Sequence, residues 1–259
     1  MEAWYTQPVE HWYYFLLLVA VGFAVGFINT LAGGGSLLSL PTLIFLGLPP
    51  AVANGTNRVA IVIQTALATA GFKSKGVSTY PFNAYLGISA LIGAIIGAQI
   101  AVDIKGETFN RILAIIMIVV LVLIVFRPKI DIQQLQERTT GKHLWMGIGA
   151  FFLFGIYGGF INAGIGFVII LFLHYVNHMT LVRVNATKVA VVFTYTLSAL
   201  FIFAMNDKVN WLVGLVLACG NGLGGWVASR VSVNKGDGFI KVFLVIMVVA
   251  MAIKLWFFT

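Results

Sequence analysis

GFINTLAGGGSLLSLP, from Gly26 to Pro41, sets the architecture because the chain says it twice: GFINAGIGFVIILF follows from Gly159 to Phe172. Beyond it, NGTNRVA from Asn54 returns as VNATKVA from Val184. GAIIGAQIA (Gly93 to Ala101) has a looser echo in GNGLGGWVA (Gly220 to Ala228). The order is the same both times. Two copies of one apolar unit are a mark of transport folds, in which the ligand site tends to lie where the copies meet. The division that follows is a first transmembrane repeat over 1–127, a polar linker over 128–142 and a second repeat over 143–259.

Composition identifies the solvent. Hydrophobic residues make up 60% of 259 and charged residues 9%, and mean hydropathy is +1.00. A water-soluble domain of this length cannot hide that much apolar surface, so the surroundings are a lipid bilayer. The single Cys, Cys219, excludes a disulfide framework and a multi-Cys metal site. The formal charge of +8 comes from Lys and Arg that mostly flank apolar segments, as membrane anchoring predicts. No nucleic-acid partner is expected from it. The first apolar run is not expected to be a cleaved leader, since Glu2 and Glu10 precede it and Trp145 to Ala163 is its repeat partner.

Runs near 20 residues give spans at about 11–32, 53–72, 82–101, 108–126, 143–163, 183–205, 211–230 and 237–258. After the first span of each copy comes a short apolar piece, 36–48 and 165–176. At about 1.5 Å per residue these reach only about 20 Å, too short for a core about 30 Å thick. Each reads as half of a hairpin or broken helix that dips in and returns. The expected fold is all-α: a polytopic membrane protein of about eight long helices plus two short re-entrant half-helices. Eight spans alone, an even number per copy, would make the copies parallel; with the hairpins each copy crosses an odd number of times, and the expected repeats are inverted. Positive charge then gathers on the linker's side (Lys73, Lys75, Arg230, Lys235, Lys241), which makes that side cytoplasmic and both termini external. Aromatic clusters at Trp4 to Tyr14 and Trp256 to Phe258 read as interface belts.

In lipid, irregular backbone survives only where protein buries it or it lines a cavity. The turns around Gly33, Gly34, Gly35 and Ser36, and around Gly164 and Gly166, leave peptide N–H groups without helical partners beside Asn29 and Asn162. Such groups, with the positive end of a following helix, favour an anion. Isolated glycines such as Gly22, Gly87 and Gly214 read instead as close helix packing. A second constellation, Asn54-Gly55-Thr56-Asn57-Arg58 and its echo Asn185-Ala186-Thr187-Lys188, opens a span in each copy. A plain role for Thr56 and Thr187 is helix N-capping. Arg58 and Lys188 are cations entering apolar sequence with no acid within ten positions, which marks a ligand or pathway unless they snorkel to the interface. Arg58 suits bidentate contact with an oxyanion, Lys188 a point charge.

All eight Asp and Glu fall in loops, tails or span edges, so a cation substrate is not expected. His174 and His178, four apart at a span end, lack a carboxylate or Cys partner and read as interfacial rather than as a metal site. Gln64, Ser89, Gln99 and Asn221 read as hydrogen-bonding glue between helices. An intramembrane enzyme would need a nucleophile and base, or a metal cluster, at membrane depth, and none is visible. No cofactor is implied.

GGGSLLSLP after the first span and PPAVANGTN before the next, both echoed in the second half, resemble the TauE/SafE sulfite and organosulfonate exporter family, toluene sulfonate uptake permease-like membrane transporters of bacteria. The resemblance covers essentially the whole chain. It implies a multi-pass protein of the bacterial cytoplasmic (inner) membrane that moves sulfite, sulfoacetate or related anions outward. The words "sulfonate" and "export" come from the resemblance alone. NATK stands where GTN or GTS is usual, and GIG where the first copy has a glycine triplet. The expected function is a secondary exporter of such anions working by alternating access. Alternatives are an importer or channel for another small anion, or a non-transporting scaffold subunit. A homo-oligomer is compatible with any of these.

Overall fold

The computed structural model describes residues 12–125 and 136–258. The aromatic clusters at Trp4 to Tyr14 and Trp256 to Phe258, and residues 128–135 of the 128–142 linker, concern residues or side chains outside this description. The described residues are all-helical. In chain order they form α1 (Trp12–Leu31), α2 (Ser36–Phe45), α3 (Pro50–Ser74), α4 (Phe82–Asp103), α5 (Gly106–Val125), α6 (Gly141–Phe160), α7 (Ile165–Tyr175), α8 (Leu181–Met205) and α9 (Trp211–Phe258). Helix α9 carries the last two expected spans on one element, interrupted at Gly236 (φ 70°, ψ −171°), a backbone region open essentially to glycine alone. Four described stretches are long and apolar enough to cross a membrane: Phe82–Asp103, Gly141–Phe160, Leu181–Met205 and Trp211–Ile240. The apolar helices α2 and α7 are too short to do so.

The two helix starts at Pro50 and Leu181 correct one expectation. Thr56 and Thr187 lie more than a turn inside α3 and α8, so neither is an N-cap. Pro50 brings no N–H, so one of the donors at this helix start is absent, and no side chain caps the others. Leu181 does need an acceptor, and the Asp237 carboxylate takes both its N–H (2.9 Å) and that of Val182 (3.0 Å).

Helix packing follows membrane rules, with small residues inside and bulky ones outward. On α4, Ile88, Ile92, Ile96 and Ile100 are exposed in a row at four-residue spacing, while Ala90, Ala94 and Ala98 are fully buried. Gly93 and Gly97 lie against the carbonyls of Phe152 and Ile156 on α6, where a Cβ would come within 2.1 and 1.9 Å. The same contact recurs between α1 and α9, where Gly22 and Gly26 face the carbonyls of Leu217 and Asn221. Thus α1 packs chiefly on α9 and α6 on α4, each first helix of a copy against a helix of the other. Between these pairs α3 and α8 run antiparallel. Gly55, early in α3, meets the Lys208 carbonyl just past the end of α8, while Thr187, early in α8, bonds Thr79 just past the end of α3.

Candidate functional site

The glycine stretches end α1 and α6 in the middle of the molecule and turn the chain into α2 and α7. Gly33 (φ 84°) and Gly164 (φ 73°) take the left-handed backbone that the turns need. The turns touch: a Cβ on Gly33 would lie 2.4 Å from the Gly166 Cα, and one on Gly166 2.3 Å from the Gly33 Cα. Gly33 and Gly166 occupy the same place in the two repeated motifs, so the copies meet at corresponding residues. Gly35 is closed in by Asn29 and the Val25 carbonyl, and Ser36 Oγ accepts a long contact (3.4 Å) from Asn57 Nδ2.

Around this contact each copy's first-helix asparagine is fixed by a side chain on its own long helix. Asn29 Nδ2 donates to Gln64 Oε1 (2.7 Å), and Gln64 Nε2 donates to Thr30 Oγ1 (2.8 Å). In the second copy the Tyr195 hydroxyl donates to Asn162 Oδ1. Because its oxygen is taken, Asn162 (φ 56°) keeps its NH₂ to donate elsewhere.

The two cations span the copies. Arg58 donates through Nη1 to Gly158 O (2.7 Å) and through Nη2 to Gly159 O (2.7 Å), the last-turn carbonyls of α6. Lys188 donates to Asn29 O (3.1 Å) and Thr30 O (2.9 Å) at the end of α1, and to Asn185 Oδ1 (2.8 Å) on its own helix. Asn54 and Asn185 add bonds to Phe160 O and Leu31 O. Cations at helix C-termini match the negative end of the helix dipole. Both side chains are buried, and the ion pairs among the described residues, Arg111–Glu107 and Arg183–Glu137, involve neither. Snorkelling is thereby set aside. One register step separates them: Arg58 stands two residues after Thr56, Lys188 one after Thr187. About 100° of helix rotation per residue sends them to different carbonyls.

A cavity of about 10 Å³, room for roughly one water, lies beside the glycine contact. Asn29, Thr65, Asn162, Ile165, Gly166, Lys188, Val189 and Val192 line it. Of the residues expected from sequence, Asn29, Asn162, Gly166 and Lys188 meet there. Arg58, Asn57, Thr56 and Ser36 lie elsewhere; Thr56 Oγ1 accepts the Asn210 N–H (2.9 Å). Thr65, Gln64 and Tyr195 add to the site. Gln64 was legible only as glue, and neither Thr65 nor Tyr195 carries a distinguishing signal inside an apolar span.

Outside the spans, His174 Nδ1 contacts the Met179 carbonyl (2.9 Å), and His178 sits beyond the helix at φ 53°. Lost hydration, then the neighbouring Arg138, His143 and His174, hold His178 below the usual imidazole range. The described residues contain no group of three or more His, Cys, Asp or Glu placed to hold a metal.

The family model "Sulfite exporter TauE/SafE" matches residues 18–255. A "Probable membrane transporter protein" of Haemophilus influenzae is 27% identical over 239 residues, covering 92% of this chain and 93% of that one. YfcA of Escherichia coli, with the same description, is 27% identical over 92% of this chain and 88% of its own. YunE of Bacillus subtilis is 22% identical over 84% and 88%. No solved structure matches.

Proposed function

Because the chain belongs to the sulfite exporter TauE/SafE family, we propose that it is a secondary transporter that exports a small sulfur-containing anion, sulfite or an organosulfonate, across the bacterial cytoplasmic membrane. The observation that carries this reading is the cavity at the glycine contact, where buried Lys188 has no acid partner among the described residues. Asn162, whose oxygen is held by Tyr195, and Asn29 line the same space. An anion there gains the Lys188 charge without that side chain leaving its carbonyls, and its oxygens accept from the two amides and from the free N–H groups at the start of α7. Arg58 acts one step back, fixing the end of α6 and so the place of Asn162.

The cavity is too small for sulfite, so loading requires the hairpins to part. The antiparallel α3 and α8, with corresponding motifs at opposite ends, support an inverted pair of repeats in which one copy rocks against the other. Lys73, Lys75, Arg138, Lys142, Arg183 and Arg230 share the face where α3 ends and α8 begins, which suits the cytoplasmic side. A negative-inside potential favours anion exit by about 2.3 kcal/mol per charge per 100 mV. Export then needs no coupling carboxylate.

Radiolabelled sulfite and sulfoacetate flux from proteoliposomes tests this. A negative-inside potential should speed exit, and Lys188→Met should cut flux at least about tenfold in correctly folded protein. Unchanged flux in Lys188→Met, or no flux of either anion in the unaltered protein, would refute the reading.

A further inference from the structure

The basic face carries larger spaces than the central cavity, one of about 380 Å³ around Thr140 and Arg183 and a second beside α3. The second, a cavity of about 230 Å³, opens between the end of α3 and the start of α8, where the polar Thr69, Lys73, Ser78, Thr79 and Asn83 stand among apolar Phe72, Val77 and Ala186. Thr69 lines the cavity, and its Oγ1 is covered and has no hydrogen-bond partner among the described residues, so a small rotation would give a bound anion an unspent donor. Lys73 is exposed at the mouth.

The spacing links this cavity to the centre. Thr65, Thr69 and Lys73 fall four apart on α3 and so share one face, each about 6 Å further along the axis. Thr65 lines the central cavity, Thr69 and Lys73 the outer one. At the divide, Thr187 Oγ1 bonds Thr79 Oγ1 (3.0 Å), and Thr187 immediately precedes Lys188. The second copy lacks this ladder. Its corresponding positions, aligned through Asn54/Asn185 and Thr56/Thr187, are Thr196, Leu200 and Ala204, polar only at the centre.

Resting on the transport reading above, we infer that this outer cavity is a loading site for a small oxyanion, with Lys73 and Asn83 at its mouth, Thr69 as the step inward and the Thr79–Thr187 contact as its inner gate. Toward the opposite face the corresponding positions of α8, Leu200 and Ala204, offer no polar group. The two directions of transport therefore differ in how they depend on these residues: anion supplied from the basic face uses the ladder, and anion supplied from the other face does not.

The test is concentration-dependent sulfite flux in vesicles of both orientations, for Thr69→Val, Lys73→Gln and, as a control, Lys75→Gln. Thr69→Val removes a hydroxyl that holds nothing, and Lys73→Gln changes an exposed side chain, so at least one variant should fold. Loss of a hydrogen bond to a charged ligand predicts about a tenfold rise in the sulfite concentration for half-maximal flux from the basic face. The opposite direction should be unchanged, and Lys75→Gln should be normal in both. An unchanged value from the basic face, an equal rise from both faces, or an equal effect of Lys75→Gln overturns the loading site while leaving sulfite transport standing. Absence of sulfite flux in the unaltered protein would instead refute the transport reading itself.

Discussion

Arg58 and Lys188 show what a cation does when lipid removes water from its choices. Each donates to carbonyls at the end of the other copy's first helix, although the Asn29 carbonyl also accepts the Gly33 N–H, and each thereby ties one copy to the other. Removing Arg58 leaves the Gly158 and Gly159 carbonyls buried and unpaired. Arg58→Ala should cost about 3 kcal/mol, seen as a large fall in thermal unfolding temperature in detergent, with Arg58→Lys recovering part of it. A variant as stable as the parent would refute the capping role. The site residue whose effect is least visible in sequence is Tyr195. Its hydroxyl fixes which way the Asn162 amide points, so Tyr195→Phe should lower sulfite flux several-fold while costing only about 1 kcal/mol of stability. Equal flux in Tyr195→Phe would show that Asn162 needs no such support. Asn29, Asn162 and Lys188 were legible because polar groups inside an apolar run must be accounted for. Arg58 was legible as important but not in role, since only geometry reveals that its donors are spent on carbonyls.

Among the helices, boundaries were readable wherever an apolar run ends in polar or glycine sequence: α4 and α8 end where expected to within about two residues. The starts of α3 and α8 come about three and two residues before the expected 53 and 183, and what holds them was not readable. Pro50 and Leu181 are entered without a Ser or Asp cap, and the acceptor that α8 uses, Asp237, comes from α9, far along the chain. The hairpins could be read as existing, but not as touching. Nothing in GGGS or GIG states that Gly33 and Gly166 meet, because that contact is set by the packing of α1 on α9 and α6 on α4. It allows a sharp expectation. Gly166→Ala places a methyl 2.3 Å from the Gly33 Cα, and neither backbone can yield without separating the hairpins. Overpacking there should cost about 1–3 kcal/mol and abolish flux. Gly149, by contrast, has nothing within 4 Å of an added Cβ, so Gly149→Ala should match the parent in unfolding temperature and flux. A Gly166→Ala protein as active as Gly149→Ala would mean that the hairpin contact is not needed.

For the molecule as a whole, the question is which way each copy faces. Lys75 and Asn206 close α3 and α8 at corresponding places in the two repeats. Parallel copies would put both residues on the same side of the membrane, and inverted copies on opposite sides. The antiparallel course of α3 and α8 favours inversion, and the basic residues assign the Lys75 side to the cytoplasm. The two inferences can be separated in one experiment. In a Cys219→Ser background, needed because Cys219 is exposed, Lys75→Cys and Asn206→Cys are made singly and treated with a membrane-impermeant thiol reagent in vesicles of known orientation. Right-side-out vesicles should label Asn206→Cys and spare Lys75→Cys, with the pattern reversed in inside-out vesicles. Labelling of both from one side would refute inverted repeats. Labelling on opposite sides but exchanged would keep the inversion and refute the charge-based orientation, and with it the claim that loading begins on the cytoplasmic face.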